Sequence, residues 1–270
     1  MPPIQRTSWF FSTLIATALL YSGAALAAPG AEDIVRQCGN KIPGQDLKTR
    51  LTIELINKAG DTKRQEFVRH WKNSNGQDDI MSKTLLVTTY PPDSKGVAFL
   101  RWTYSPGVHK HDAQWLYLPK TKTLRKIPIQ DLNNNFLNSD LTYGDMAPRA
   151  VDDDTHTLVD EDADFYIVES RPREKDTLYS KKRVWYKKGR NGDECVKSRV
   201  EYYDLNGALL KTQAIQWENI NGAWIWREMQ VKNVQNGHAT RFTIDDVQLN
   251  IGLKDNLFTT RTLKRGLSGT

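Results

Sequence analysis

The sequence predicts a mainly β protein, an antiparallel meander of about ten or eleven strands with short helical pieces lying over the sheet. Three observations carry this. Asn-Gly recurs at 191–192, 206–207, 221–222 and 236–237, every 15 residues. That pair supplies the two positive-φ residues of a two-residue type I′ hairpin turn. Apolar and polar residues alternate between the turns: Leu209, Ile215 and Trp217 share one parity, and Leu51, Ile53 and Leu55 alternate with Thr52 and Glu54. No Pro-rich or Gly/Ser-rich linker divides the chain, so one domain is expected.

The elements follow in order. Residues 31–38 form a short amphipathic helix with Ile34, Val35 and Cys38 on one side. Strands then run through Leu51–Leu55, Phe67–Arg69–Trp71, Leu85–Val87, Val97–Tyr104, Gln114–Leu118 and Leu124–Ile129. Residues 130–150 break the alternation, and Thr142-Tyr143-Gly144-Asp145 reads as a helical turn capped by Thr142. The second half resumes at Phe165–Val168, with Trp224 and Trp226 opposed to Ile225, Met229 and Val231. Phe242 and Ile244 fall out of phase with Val247 and Leu249, so a bulge is expected near Asp245-Asp246. The 15-residue spacing also fits a solenoid, but the arms share no side-chain pattern beyond the turn, which favours the meander.

The first 27 residues read as a cleavable signal peptide, leaving 28–270 as the exported domain. Arg6 precedes the uncharged run Trp9–Tyr21, and Ala25-Leu26-Ala27 ends it as a signal peptidase requires. An uncleaved anchor is the competing reading; the short apolar core and the small-residue site favour cleavage. No Cys follows the apolar run directly, the first being Cys38, so no lipid anchor is expected. In a Gram-negative cell this places the protein free in the periplasm. No later run approaches the roughly 20 apolar residues of a membrane span. Cys38 and Cys195 are the two cysteines of an exported chain. They pair as one disulfide, or remain as two buried thiols.

The charge balance is 38 basic against 32 acidic residues, a net +6 interleaved along the chain. A nucleic-acid binder concentrates its basic residues on one stripe, so nucleic acid is not an expected partner. There is no Gly-x-Ser-x-Gly elbow, Walker loop, Gly-x-Gly-x-x-Gly or Cys-x-x-Cys. His109 and His111 would share one face of a strand, as two metal ligands do, but Pro106-Gly107 just upstream favours a solvated loop. Asp152 to Asp164 place seven carboxylates within thirteen residues without the central Gly of a calcium loop. They read as a charged surface loop before the strand at Phe165. No metal, cofactor or catalytic residue is therefore expected. Seven Trp follow the signal segment. Most belong to core packing, but a curved sheet of about eleven strands encloses more volume than its own side chains fill, leaving room for a ligand cavity.

The run Phe136-Leu137-Asn138-Ser139-Asp140-Leu141-Thr142-Tyr143-Gly144-Asp145-Met146 resembles the F-x-x-S-D-[FL]-[ST]-Y-x-D segment of a LolA-like family of outer-membrane lipoprotein-sorting proteins. Asp61-x-Lys63-Arg64, Trp115-Leu116-Tyr117-Leu118-Pro119, Tyr202-Tyr203-Asp204-x-Asn206-Gly207 and Leu257–Leu263 are similar to that family too. The resemblance implies an unclosed β-barrel of about eleven strands with short helices as a lid. It implies a monomeric periplasmic carrier of lipid or lipoprotein acyl chains, passing cargo from an inner-membrane transporter, of the resistance-nodulation-division type in relatives of the wider group, to an outer-membrane acceptor. By hydrophobic character, Phe136, Leu137 and Leu141 are the expected lid contacts and Phe99, Trp102 and Leu118 the expected cavity wall. The alternatives are a non-catalytic envelope adaptor and, less favoured, a metal-assisted hydrolase.

Overall fold

The computed structural model describes residues 29–39, 41–108, 110–174, 178–189 and 195–265. The expected signal peptide, His109 and the Asn191-Gly192 pair lie outside the described residues. Thirteen strands form one antiparallel sheet: β1 (Asp46–Ile56), β2 (Thr62–Asn73), β3 (Ile80–Tyr90), β4 (Ala98–Tyr104), β5 (Ala113–Leu118), β6 (Thr123–Lys126), β7 (Asp154–Glu161), β8 (Phe165–Pro172), β9 (Lys181–Lys188), β10 (Cys195–Tyr203), β11 (Leu209–Ile220), β12 (Ala223–Asn233) and β13 (Ala239–Leu249). Their spatial order is β6-β5-β4-β3-β2-β1-β13-β12-β11-β10-β9-β8-β7. First and last strands pair in the middle, and the two edges, β6 and β7, are consecutive in sequence. The barrel is therefore unclosed, and residues 127–153 run from one edge to the other.

Strand count exceeds the expected eleven, and one reason is the acidic run. Asp154–Glu161 is edge strand β7, paired with β8 from Asp154↔Pro172 to Glu161↔Tyr166, and not a surface loop. Its alternating Thr155, Thr157 and Val159 favour extended backbone, and its carboxylates keep an exposed edge from pairing with another chain.

Of the Asn-Gly pairs described, only Asn221-Gly222 makes the two-residue turn, with φ of 52° and 85°. The other two sit in five-residue loops between β10 and β11 and between β12 and β13. There Asp204 Oδ1 accepts from the amides of Asn206 and Ala208, and Asn233 Oδ1 from those of Gln235 and Asn236. These side chains impose a wider turn ahead of the glycine. The expected bulge near Asp245-Asp246 is present: Asp246 has φ 52° and pairing shifts between Lys48 and Arg50. It returns Val247 to the core of Ile244. A second shift, between Gln216 and Trp217, sets Trp226 against the cluster of Met229 and Val231, where simple alternation opposed them.

The sheet is covered on both faces. On the inner face, Leu51, Ile53, Phe67, Leu86, Phe99, Met229, Val231, Phe242 and Ile244 form the main core together with Ile127, Phe136 and Leu141 of the connector. Over β7–β10, helix α1 (Ala31–Cys38) buries Ile34 and Cys38 against Val168, Val184, Val200 and Tyr202. A disulfide joins Cys38 to Cys195 at the start of β10, with a Cα–Cα distance of 4.9 Å. On the outer face, Leu257, Phe258 and Leu263 of the C-terminal segment, ending in helix α2 (Thr260–Arg265), cover Leu85, Leu100 and Tyr117. Among the described residues no helix is long and apolar enough to cross a membrane.

Candidate functional site: the plugged inner face

The connector enters at Ile127, whose amide donates to the carbonyl of Gln114 on β5. It turns back on itself over 136–141, where the Phe136 amide donates to the Leu141 carbonyl at 2.7 Å and Leu137 and Asn138 hold φ of 49° and 65°. Left-handed backbone at a leucine costs roughly 1–2 kcal/mol. The loop is held there by what its flanks bury. Phe136 and Leu141 are each 1% exposed. Phe136 meets Phe99 edge-on at 5.2 Å between ring centroids, and Tyr143 lies 5.4 Å from Phe136 and 5.9 Å from Phe99. Burying side chains of this size stabilises the closed arrangement by about 1.5–3 kcal/mol each.

Thr142 caps the next turn as its spacing implied. Its amide donates to Asp145 Oδ2, and the Asp145 amide donates to Thr142 Oγ1, both at 3.0 Å. The remaining capacity of Asp145 is spent on the sheet. Lys211 Nζ on β11 donates to Asp145 Oδ2 at 2.7 Å and to the Asp140 carbonyl at 2.7 Å. Tyr179 donates its hydroxyl to Asp145 Oδ2 at 2.8 Å, and Lys182 Nζ on β9 lies 3.5 Å from Oδ1. Burial opposes ionisation of this carboxyl, but Lys182, Lys211 and the hydrogen bonds outweigh it and bring its pKa down to about 2. Lys211 in turn lies below its ordinary value because it is buried. Both ammonium groups also lie over the rings of Tyr179 and Tyr202, at 4.9–5.2 Å. Asp140 adds a contact to β13, its carboxylate accepting from Thr240 Oγ1 at 2.7 Å. Toward the other half of the sheet, Arg101 on β4 donates to the Met146 carbonyl. Residues 140–146 of the connector are thus pinned to both halves of the sheet by charged groups, and the connector is plugged into the sheet by aromatic ones.

Of the six residues expected to face cargo, Phe99, Phe136 and Leu141 meet in the inner core and Leu137 packs against it. Trp102 does not: it lies on the outer face, edge-on to Trp115, and its Nε1 donates to the Phe258 carbonyl at 2.9 Å. Its parity is one off from Phe99 and Arg101, which alternation along β4 requires. Leu118 is 38% exposed at the end of β5. His111 belongs to no group of three or more metal-ligating residues among those described. The neighbouring Asp112 instead approaches Arg101 Nε at 3.7 Å.

The residues that sequence reasoning missed are the inner-face charges: Lys211, Lys182, Arg69 and Arg101. Each sits at core parity within a strand, as Arg69 does between Phe67 and Trp71. A charge inside an apolar alternation was the available signal.

This architecture, an unclosed antiparallel barrel whose inner face is plugged by the connector between its edge strands, is of the LolA type. The chain belongs to the family whose model, described as "Uncharacterized protein", matches residues 81–265, more than half of it. A DUF1329 family protein from Desulfovibrio piger is similar at 27% identity and a TM-score of 0.73, over 82% of this chain and 92% of that one. A Vibrio parahaemolyticus domain described as an outer membrane lipoprotein-sorting protein domain is 26% identical, also with a TM-score of 0.73 and the same coverage of 82% and 92%. A LolA superfamily protein from Nitrosomonas europaea shares the fold at 19% identity and a TM-score of 0.62, over 87% of this chain and 99% of that one. No curated protein matches the chain by sequence.

Proposed function

We propose that the protein is a carrier of acyl chains, with residues 136–146 as a lid whose side chains hold the place that cargo takes. One observation carries the reading. The apolar inner face is filled from the connector, by Phe136 and Leu141, and not by the sheet's own side chains alone. A plug carried on the sole link between two unpaired edges can withdraw without breaking a strand pair. Cargo then replaces one buried apolar surface with another, each methylene contributing about 0.8 kcal/mol. The aromatic and ionic contacts of the closed lid oppose that gain, which leaves cargo releasable to a partner. The lipoprotein-sorting description of the Vibrio relative supports acyl chains as the ligand class.

In this reading residues 1–27 are removed on export and the domain from residue 28 works as a periplasmic monomer. It takes lipid or lipoprotein from an inner-membrane transporter, delivers it to an outer-membrane acceptor, and performs no catalysis. The experiment is to purify the protein from a periplasm, extract it with organic solvent and identify the extract by mass spectrometry. Near-stoichiometric acyl lipid supports the carrier. A folded protein that yields no lipid and binds no added amphiphile overturns it, and leaves an envelope adaptor.

A further inference from the structure

The inner face holds a second feature that the lid does not use up. On the inner face of β1–β5, polar side chains lie side by side: Thr49 faces Arg69, and Thr84, Arg101 and Gln114 follow one another across β3, β4 and β5. Three of them are almost fully buried, with Gln114 at 1%, Thr49 at 2% and Thr84 at 6% exposure. Yet both amide atoms of Gln114, the two threonine hydroxyls, Arg69 Nη1 and Arg101 Nε are buried without a hydrogen-bond partner. A buried polar group left unpaired keeps its full desolvation penalty, which is larger still when the group is charged. Six such atoms lie in one patch, and all but the accepting Gln114 Oε1 can donate, so the patch is a preformed, donor-rich set.

The charges are unbalanced as well. Arg101 has Asp112 at 3.7 Å, while Arg69 has no carboxylate within 4 Å among the described residues. Two guanidinium groups therefore face one carboxylate. Burial and the neighbouring Arg101 lower the Arg69 pKa to about 10, which still leaves it charged at neutral pH. An uncompensated buried charge is costly, so a ligand that brings the opposite charge gains by binding beside it. Arg69 lies opposite Leu86 on β3, two residues from Phe67, and Arg101 two residues from Phe99, so the polar patch borders the apolar core.

We propose that Arg69 and Arg101, with Thr84 and Gln114, form the head-group site of an anionic amphiphile. The ligand carries one singly charged oxyanion, a carboxylate or a phosphodiester, with its chain along Phe67, Leu86 and Phe99. One negative charge balances the patch, and planar guanidinium forks suit both oxyanions. In the closed form Arg101 donates to the Met146 carbonyl. An arriving head competes with that carbonyl, so its binding favours the open lid.

This inference rests on the carrier reading, and one titration separates the two. Nile red bound to the purified protein is displaced with dodecanoate, with methyl dodecyl phosphate, with dodecanol, and with acetate or dimethyl phosphate alone. At least one anionic amphiphile is expected to displace the probe about tenfold more tightly than dodecanol, and which one does so names the head. Arg69→Met removes that preference, leaves dodecanol within about twofold, and raises the thermal midpoint of the ligand-free protein. Arg69→Lys keeps the charge but loses the fork, and forfeits most of the preference; it serves as the test if Arg69→Met does not fold. Equal binding of dodecanol and both anions, a preference undiminished in the Arg69 variants, or small anions acting as well alone overturns the head-group site and leaves the carrier standing. No binding by any amphiphile overturns both.

Discussion

Lys211 Nζ and Asp145 Oδ2 are 2.7 Å apart, and their side chains are only 4% and 1% exposed. The two residues belong to different parts of the machine, one to strand β11 and the other to the connector, so the ion pair is a clasp and not a strand contact. Its partners are unequal. Asp145 has two ammonium groups, a phenol and a backbone amide directed at it. Lys211 has one carboxylate and one carbonyl. Loss of the carboxylate therefore strands more charge than loss of the lysine.

Asp145→Asn is expected to lower stability by about 3–5 kcal/mol, because Lys211 stays buried without its counter-ion. Urea denaturation measures the loss. Hydrogen exchange at residues 136–146 should accelerate more than exchange in β1 and β13, since the clasp holds the lid and not the centre of the sheet. A double variant, Asp145→Leu with Lys211→Met, should recover much of the stability. An Asp145→Asn protein as stable as the wild type would deny the clasp its role.

The same carboxyl sets an acid limit. Its pKa is about 2 in the folded protein against an ordinary 3.8. The folded state thus binds fewer protons than the unfolded one between those values, and stability rises with pH across that window. The contribution, about 2 kcal/mol, is complete above pH 4 and is lost as pH falls toward 2. Thermal midpoints taken every half unit from pH 2 to pH 5 should fall on the acid side. The fall should be smaller in Asp145→Asn, which has no proton to take up.

Cys38 and Cys195 close a loop of 157 residues, tying α1 to the first residue of β10. In the chain-entropy account a loop of this length is worth about 3–5 kcal/mol. Reduction, or Cys38→Ser with Cys195→Ser, should lower the thermal midpoint and expose Ile34 and Tyr202 beneath the helix. Near-ultraviolet circular dichroism of the Tyr179–Tyr202 pair, 5.1 Å apart, reports the change.

Much of the fold was legible because alternation and turn chemistry are local. The Thr142 cap and the Asp246 bulge were read from residues a few positions apart. The five-residue loops at Asp204 and Asn233 were not, because an Asx side chain competes with the glycine for control of the turn. The clasp was beyond reach for a different reason. Asp145 and Lys211 are distant in sequence, and nothing local says which lysine on which strand meets a connector aspartate. Trp102 shows the remaining gap: hydrophobic character marks a residue as buried, but only register says on which side of a two-faced sheet.

That distinction supplies a direct test of where cargo lies. Phe136→Ala removes a fully buried ring from the inner face, and large-to-small changes of this kind cost about 3–5 kcal/mol. The space it leaves adjoins Phe99 and Tyr143, on the path proposed for an acyl chain. Trp102→Phe leaves the inner face alone; it loses the hydrogen bond to the Phe258 carbonyl, worth about 1 kcal/mol. Both variants should unfold earlier in urea, the first by more. Only Phe136→Ala should change the affinity for a neutral amphiphile such as dodecanol, raising it several-fold because less of the plug must be displaced. If Trp102→Phe moved that affinity and Phe136→Ala did not, the chain would have to lie on the outer face, beneath α2.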